Sequence, residues 1–268
     1  MIGLGEPRRP KMVAFDVIGT VFPLEPLRTS IVGLGLPPTA LEGWFAVGCR
    51  DAFALAAAGD FAPFASVLDA ALDGVLAEQG LSAPAHDREA VVKQLETLTA
   101  RDGAQKAFAT LADAGIPVMA LSNGASRATK ALLAGAGLSD LVQHVASVDE
   151  VKLAKPRREV YLHAADRGGI EPRELALVAA HPWDINGAAA AGLVTAYLAA
   201  DRPYSAVMRR PDLHADTLPD LAAALAALCR GALQTCCSTR RVTGDNKGPA
   251  RAVSLGGDRL GADCGRGE

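Results

Sequence analysis

MVAFD at residues 12–16, followed at once by VIGT at 17–20, is an apolar run that ends on a carboxylate and breaks into a loop. Four apolar residues followed by a turn-forming Gly read as a buried β-strand that delivers Asp16 to its carboxyl end. FPLEP at 22–26 then places two prolines against any helix continuing from the loop. One strand of this kind does not make a fold; the chain downstream does.

From residue 103 the pattern alternates. GAQKAFATLADAG (103–115) reads as a helix before strand IPVMALS (116–122), and SRATKALLAGAG (126–137) as a helix before HVASV (144–148). REVYLHAADRG (158–168) precedes LALVAA (175–180), and INGAAAAG (185–192) precedes LVTAYL (193–198). Continuous apolar strands of about five residues, separated by helices of about 10–15, imply a parallel sheet covered on both faces. Right-handed crossovers make this an α/β doubly wound, Rossmann-like sheet, which binds ligands beyond the carboxyl ends of its strands.

The core is expected at 11–26 and 99–228, closed by a helix over 218–228. Residues 27–98 read as an inserted helical block. Apolar residues recur there at helical spacing around Trp44, Val47, Phe53 and Leu55, then around Val67, Leu68, Leu72, Val75 and Leu76, with no alternating strand pattern. Residues 229–268, rich in Gly, Arg, Ser and Cys, read as a disordered tail.

Several function classes recede on composition. The 268 residues carry a net charge of −3 and no long basic block, so neither nucleic acid nor an anionic membrane is an expected partner. No apolar run approaches the ~20 residues of a membrane span, and MIGLGEPRRPKM lacks the apolar segment of a signal peptide, so a cytoplasmic location is expected. Cys49, Cys229, Cys236, Cys237 and Cys264 show no zinc spacing, and no GxGxxG follows the first strand. No metal or cofactor is expected. The apolar helices of 27–98 suit a homodimer interface as well as a lid.

Four strand ends carry polar groups: Asp16; Ser122-Asn123-Gly124; Lys155, in KLAKPRREVY; and His181-Pro182-Trp183-Asp184. Singly, each has an ordinary explanation, as a helix cap or a solvated charge. Their joint placement at successive strand ends does not. FDVIGTVF (15–22), ALSNG (120–124), Lys155-Pro156 followed by EVY (159–161), and HPWDINGA (181–188) resemble, in order, the four motifs of the haloacid dehalogenase superfamily. The likeness runs over roughly 11–228, with 27–98 where that superfamily inserts its helical cap. It implies that Asp16 is a nucleophile forming a covalent intermediate. Thr20 and Ser122 would hydrogen-bond the nucleophile or substrate, with Asn123 helping from the same loop. Lys155 would set a positive charge beside Asp16 and orient it. Asp184 would hold Lys155 or position water.

Superfamily phosphatases carry a second Asp two residues after the nucleophile and further acids in the fourth motif, with Mg²⁺. Here those positions are Ile18 and Ala179. Trp183-Asp184 followed by Gly187-Ala188, with Tyr161 six residues after Lys155, is similar instead to the L-2-haloacid dehalogenases. The resemblance implies displacement of halide from C2 by Asp16, then ester hydrolysis to a 2-hydroxy acid. Halide leaves as a stable anion, so Ile18 need not supply a proton. The chain departs from that subgroup where Phe45 follows Trp44 in place of an Arg, and where Ala179 and His181 replace Ser and Asn. Arg50, five positions further along the same helix, is expected to point elsewhere. Phe45 would form a pocket wall, and His181 would donate to a carboxylate or halide or assist water. Ile18, Asn123, Phe45, Tyr161, His181 and Trp183 are thus the expected substrate-binding set, around a small halogenated carboxylic acid. The alternatives are a phosphatase or phosphonatase-like hydrolase that lost its acid, or a non-catalytic small-anion binder.

Overall fold

The computed structural model describes residues 9–200 and 203–238. In chain order the elements are β1 (Met12–Asp16), α1 (Arg28–Gly33), α2 (Ala40–Ala58), α3 (Phe64–Glu78), α4 (Ala85–Lys93) and α5 (Ala104–Asp113). There follow β2 (Val118–Ser122), α6 (Ser126–Gly135), β3 (His144–Ser147), α7 (Arg158–Arg167) and β4 (Leu175–Ala179). The chain continues through α8 (Pro182–Ala191), β5 (Val194–Leu198), β6 (Leu213–Ala215) and α9 (Leu218–Ser238).

The strands form one sheet in the order β3-β2-β1-β4-β5-β6, every neighbouring pair parallel. The fold is therefore an α/β doubly wound sheet. The central strands β1, β2, β4 and β5 are largely apolar because both faces are covered, and alternate side chains of a strand enter opposite layers. Val13, Phe15, Val118 and Val178 join the layer that includes α5 and α9. Met12, Ala14, Met119 and Leu177 join the layer packed by α7 and α8. From β1 the chain builds outward through β2 and β3 on one side and β4 to β6 on the other. The carboxyl ends of β1, β2 and β4 thus face the crevice where the strand order reverses.

Helices α1 to α4 all fall between β1 and β2. Trp44 of α2 is fully buried, and its indole N–H donates to the Leu68 carbonyl of α3 at 2.8 Å. Gly48 permits this close approach, because a Cβ there would stand 2.5 Å from a Leu68 methyl.

Two expectations change. β6 escaped the sequence reading, since three half-exposed or exposed residues with His214 at the centre carry no periodicity. The closing helix, expected to stop at 228 before a disordered tail, continues to Ser238. No proline interrupts 229–238, and Gly231 alone does not end a helix; averaging composition over the whole tail hid this. The rest of the expected tail, 239–268, lies outside the described residues. Among the described residues no helix is long and apolar enough to cross a membrane.

Candidate active site

Asp16 ends β1, and the loop after it folds back on itself. Gly19 N–H donates to the Phe22 carbonyl at 2.8 Å and Phe22 N–H to that of Val17 at 2.9 Å. Gly19 has φ +85°, a conformation open to glycine at little cost. The turn returns the Thr20 hydroxyl to Asp16, where it donates to Oδ2 at 2.6 Å and accepts the Ala180 N–H at 2.9 Å. The single hydroxyl proton of Thr20 is thereby committed to the carboxylate.

Lys155, entering from the loop after β3, is fully buried. Its Nζ donates to Asp16 Oδ1 at 2.9 Å and to Asp184 Oδ2 at 2.8 Å. Burial alone would push the ammonium pKa down; the two carboxylates outweigh it and hold Lys155 above its ordinary value. Burial raises the Asp184 carboxyl, opposed by Lys155 and reinforced by Asp16. Tyr161 donates to Asp184 Oδ1 at 2.6 Å, and burial followed by the Asp184 charge pushes its phenol well up. Two carboxylates, one ammonium and two hydroxyl donors therefore form one continuous buried network. In such a network the costly change is the one that leaves a buried charge with no countercharge.

The remaining expected residues sort by position. Ser122 is buried at the end of β2; its Oγ accepts the Gly124 N–H at 2.9 Å, so its own proton is uncommitted among the described residues. Asn123 Oδ1 accepts the backbone N–H of Lys155 at 2.9 Å, which anchors the Lys155 loop. Tyr161 is fully buried behind Asp184. It was expected to touch substrate, and in the structure its hydroxyl is turned onto Asp184. Arg50 is exposed and pairs with Asp51 at 2.8 Å, so it does not join the Asp16 network.

His181 stacks between Phe45 (centroids 5.7 Å, 29°) and Trp183 (5.2 Å, 13°), and Trp183 meets Phe53 at 4.9 Å. Its Nε2 lies 3.1 Å from the Ile18 carbonyl oxygen and 3.7 Å from Asp16 Oδ2. Phe45, Cys49, Phe53, His181 and Trp183 line a cavity of about 620 Å³ with Arg50 at its wall. Ile18, Ser122 and Phe64 line a second, of about 400 Å³.

Two residues of this region escaped the sequence reading. Arg101 donates from Nε to the Thr20 carbonyl at 2.9 Å and from a terminal nitrogen to that of Gly19 at 3.2 Å, bracing the loop that carries Thr20. A single Arg outside every motif offered no signal. Arg157 donates to the Ala56 carbonyl of α2 at 2.7 Å and so ties the region after β3 to the helical block. Cys49 has its thiol pushed up to about 12, first by burial and then by the Asp16 and Asp184 charges. In the native protein at pH 8 the peptide bearing Cys49 is expected to stay unmodified by iodoacetamide, and to react once the protein is denatured. Peptide mapping by mass spectrometry reads this directly.

A magnesium ion does not fit these donors. Among the described residues no group of three or more His, Cys, Asp or Glu side chains is placed to hold a metal. Ile18 and Ala179 supply no side-chain oxygen, and an ammonium stands between the two carboxylates where a cation would bind.

The chain matches the family model of haloacid dehalogenase-like hydrolases over residues 10–192. It is 32% identical over 137 residues to (S)-2-haloacid dehalogenase 1 of Pseudomonas sp. (strain CBS-3), covering 51% of this chain and 60% of that protein. To (S)-2-haloacid dehalogenase of Xanthobacter autotrophicus it is 29% identical over 191 residues, covering 70% of this chain and 75% of that protein. The aligned stretch thus spans about three fifths of the first of these relatives. The solved structure of L-2-haloacid dehalogenase from Xanthobacter autotrophicus with chloropropionic acid covalently bound superposes with a TM-score of 0.73 at 25% identity. That superposition covers 80% of this chain and 97% of the other.

Proposed function

This chain belongs to the haloacid dehalogenase-like hydrolases, and from that premise we propose that it is a metal-independent 2-haloacid dehalogenase. The observation that carries the reading is the buried Lys155 ammonium shared by Asp16 and Asp184, with Ile18 two residues after the nucleophile. Phosphoryl transfer to Asp16 needs an acid for the leaving oxygen and a cation for the phosphoryl charge, and this site supplies neither in the usual form. Halide departure needs no proton.

Asp16 Oδ1 is the attacking oxygen. It accepts from Lys155, whereas Oδ2 accepts from Thr20 and faces His181. A lone pair of Oδ1 forms the bond to C2 of the haloacid, and the carbon–halogen pair leaves with the halide, inverting C2. The uncommitted Ser122 hydroxyl donates to the substrate carboxylate. Water then adds to the Asp16 carbonyl carbon and loses a proton to Asp184; the Cγ–Oδ1 bond breaks and Lys155 protonates the departing alkoxide. Proton return from Asp184 to Lys155 and ionisation of Asp16 reset the site, with one proton released per halide. The helical block 27–98 serves as the cap, bringing Phe45, Cys49 and Phe53 over the crevice.

The test is halide release from L- and D-2-chloropropionate and from chloroacetate with EDTA present. Release that EDTA does not diminish is expected; no halide from any of the three would sink the reading. Mg²⁺-dependent phosphate release from an aryl phosphate would transfer support to the phosphatase alternative.

A further inference from the structure

His181 occupies a place in this site that neither the nucleophile network nor the substrate contacts account for. Its ring stacks between Phe45 and Trp183, and it lies directly over Gly19, where a Cβ would come within 2.5 Å of Nε2. Only glycine at that position lets the imidazole approach the loop so closely. The neighbour at 3.1 Å, the Ile18 carbonyl, can only accept a hydrogen bond, so Nε2 carries the proton. A protonated Nε2 has no lone pair with which to act as a base on this side of the ring. It is a donor, and the next acceptor it faces is Asp16 Oδ2 at 3.7 Å.

We infer that Thr20 and His181 together form an oxyanion site on Asp16 Oδ2 that serves ester hydrolysis rather than halide displacement. The inference rests on the dehalogenase reading. Once Oδ1 has been alkylated, Oδ2 is the carbonyl oxygen of the ester. Water adds to Cγ through its own lone pair, the C–Oδ2 π pair moves onto Oδ2, and the proton of the water goes to Asp184. The Thr20 hydroxyl already donates to Oδ2 at 2.6 Å, oriented by the Ala180 N–H on its own oxygen. His181 Nε2–H closes from 3.7 Å as negative charge builds on Oδ2, a tightening common to donors aimed at charge that develops only in the transition state. When the intermediate collapses, the pair on Oδ2 reforms the carbonyl, the Cγ–Oδ1 bond breaks, and Lys155 protonates the leaving oxygen. His181 exchanges no proton in this sequence. Its aromatic neighbours orient its plane.

The role separates the two chemical steps, and that makes it testable. His181→Phe retains a flat ring between Phe45 and Trp183 but loses the donor. With L-2-chloropropionate it is expected to release one halide per site in a burst at close to the unmodified rate, followed by turnover lower by about 10²–10³-fold. The Asp16 ester should accumulate, visible as a mass increment on the peptide containing residue 16. His181→Gln, which restores an N–H donor without an imidazole, should recover most of the turnover and abolish the accumulation. If the Phe variant fails to fold, His181→Leu gives the same comparison against Gln. No burst and no accumulated ester in the Phe variant, or a burst slowed as much as turnover, overturns the assignment while halide release by the unmodified enzyme leaves the dehalogenase reading standing. No halide from the unmodified enzyme overturns both.

Discussion

Asp16→Asn is expected to lower halide release by about 10⁴–10⁶-fold while leaving the protein folded, the scale of loss when a covalent nucleophile is removed. The amide oxygen is a poor nucleophile towards carbon, and no other carboxylate can take its place: both Asp184 oxygens are engaged, one by Lys155 and one by Tyr161. Folding survives because Lys155 keeps Asp184 at 2.8 Å and the asparagine carbonyl still accepts from Thr20 or Lys155. Circular dichroism and thermal unfolding separate lost chemistry from lost structure. In the unmodified protein, one turnover in ¹⁸O-water with enzyme in excess is expected to put the label in the Asp16 carboxylate and not in the hydroxy acid. Water attacks Cγ, so its oxygen stays with the enzyme. Label found in the product after that first turnover would mean direct attack of water on C2, and the ester mechanism would fail.

Lys155→Met is expected to abolish turnover and, unlike Asp16→Asn, to cost about 3–5 kcal/mol of stability. It removes the cation from a site where Asp16 and Asp184 are both buried, and leaves two carboxylates with no countercharge between them. The pH dependence checks the cause. The Lys155 pKa is raised in the folded protein, so its contribution is fully present below its unfolded value near 10.5 and is lost as pH rises through the folded value. Asp184 goes the other way: a carboxyl held above its unfolded value of 3.8 costs stability when ionised, and that cost is relieved as the pH falls. In Lys155→Met the Lys155 opposition to that rise disappears. The deficit against the unmodified protein should therefore be largest at neutral pH and shrink on acidification towards 3.8. Urea unfolding at several pH values measures it. A deficit unchanged by pH would place the loss in packing of the lysine stem rather than in unpaired charge.

The strand ends were legible because parallel strands buried on both faces must be apolar along their length, so a polar residue at the end of one stands out. Asp16 and Ser122 were found in this way, and Lys155 and the His181–Asp184 segment follow strands of the same kind. β6 and the last turns of α9 were not legible, one too short for periodicity and the other masked by the composition around it. Tyr161 was legible as a motif residue, but its hydrogen-bond partner was not. Sequence spacing puts it near Lys155, and only packing turns its hydroxyl onto Asp184, with Gly187 clearing the space: a Cβ there would come within 2.6 Å of that hydroxyl. Arg101 and Arg157 act through backbone carbonyls, which no side-chain pattern encodes.

By itself, then, the sequence determined the α/β architecture, the strand that ends on Asp16 and the absence of an acid at Ile18, because these follow from burial and from side-chain identity at single positions. The tertiary structure decided which oxygen of Asp16 meets Lys155 and which meets Thr20, that the Tyr161 hydroxyl meets Asp184, and that His181 brings Nε2 to 3.7 Å from Oδ2. Those are relations among residues separated by up to 165 positions, and strand register and loop closure set them to within ångströms. Hydrogen bonding and charge pairing change over such distances, while hydrophobic patterning does not.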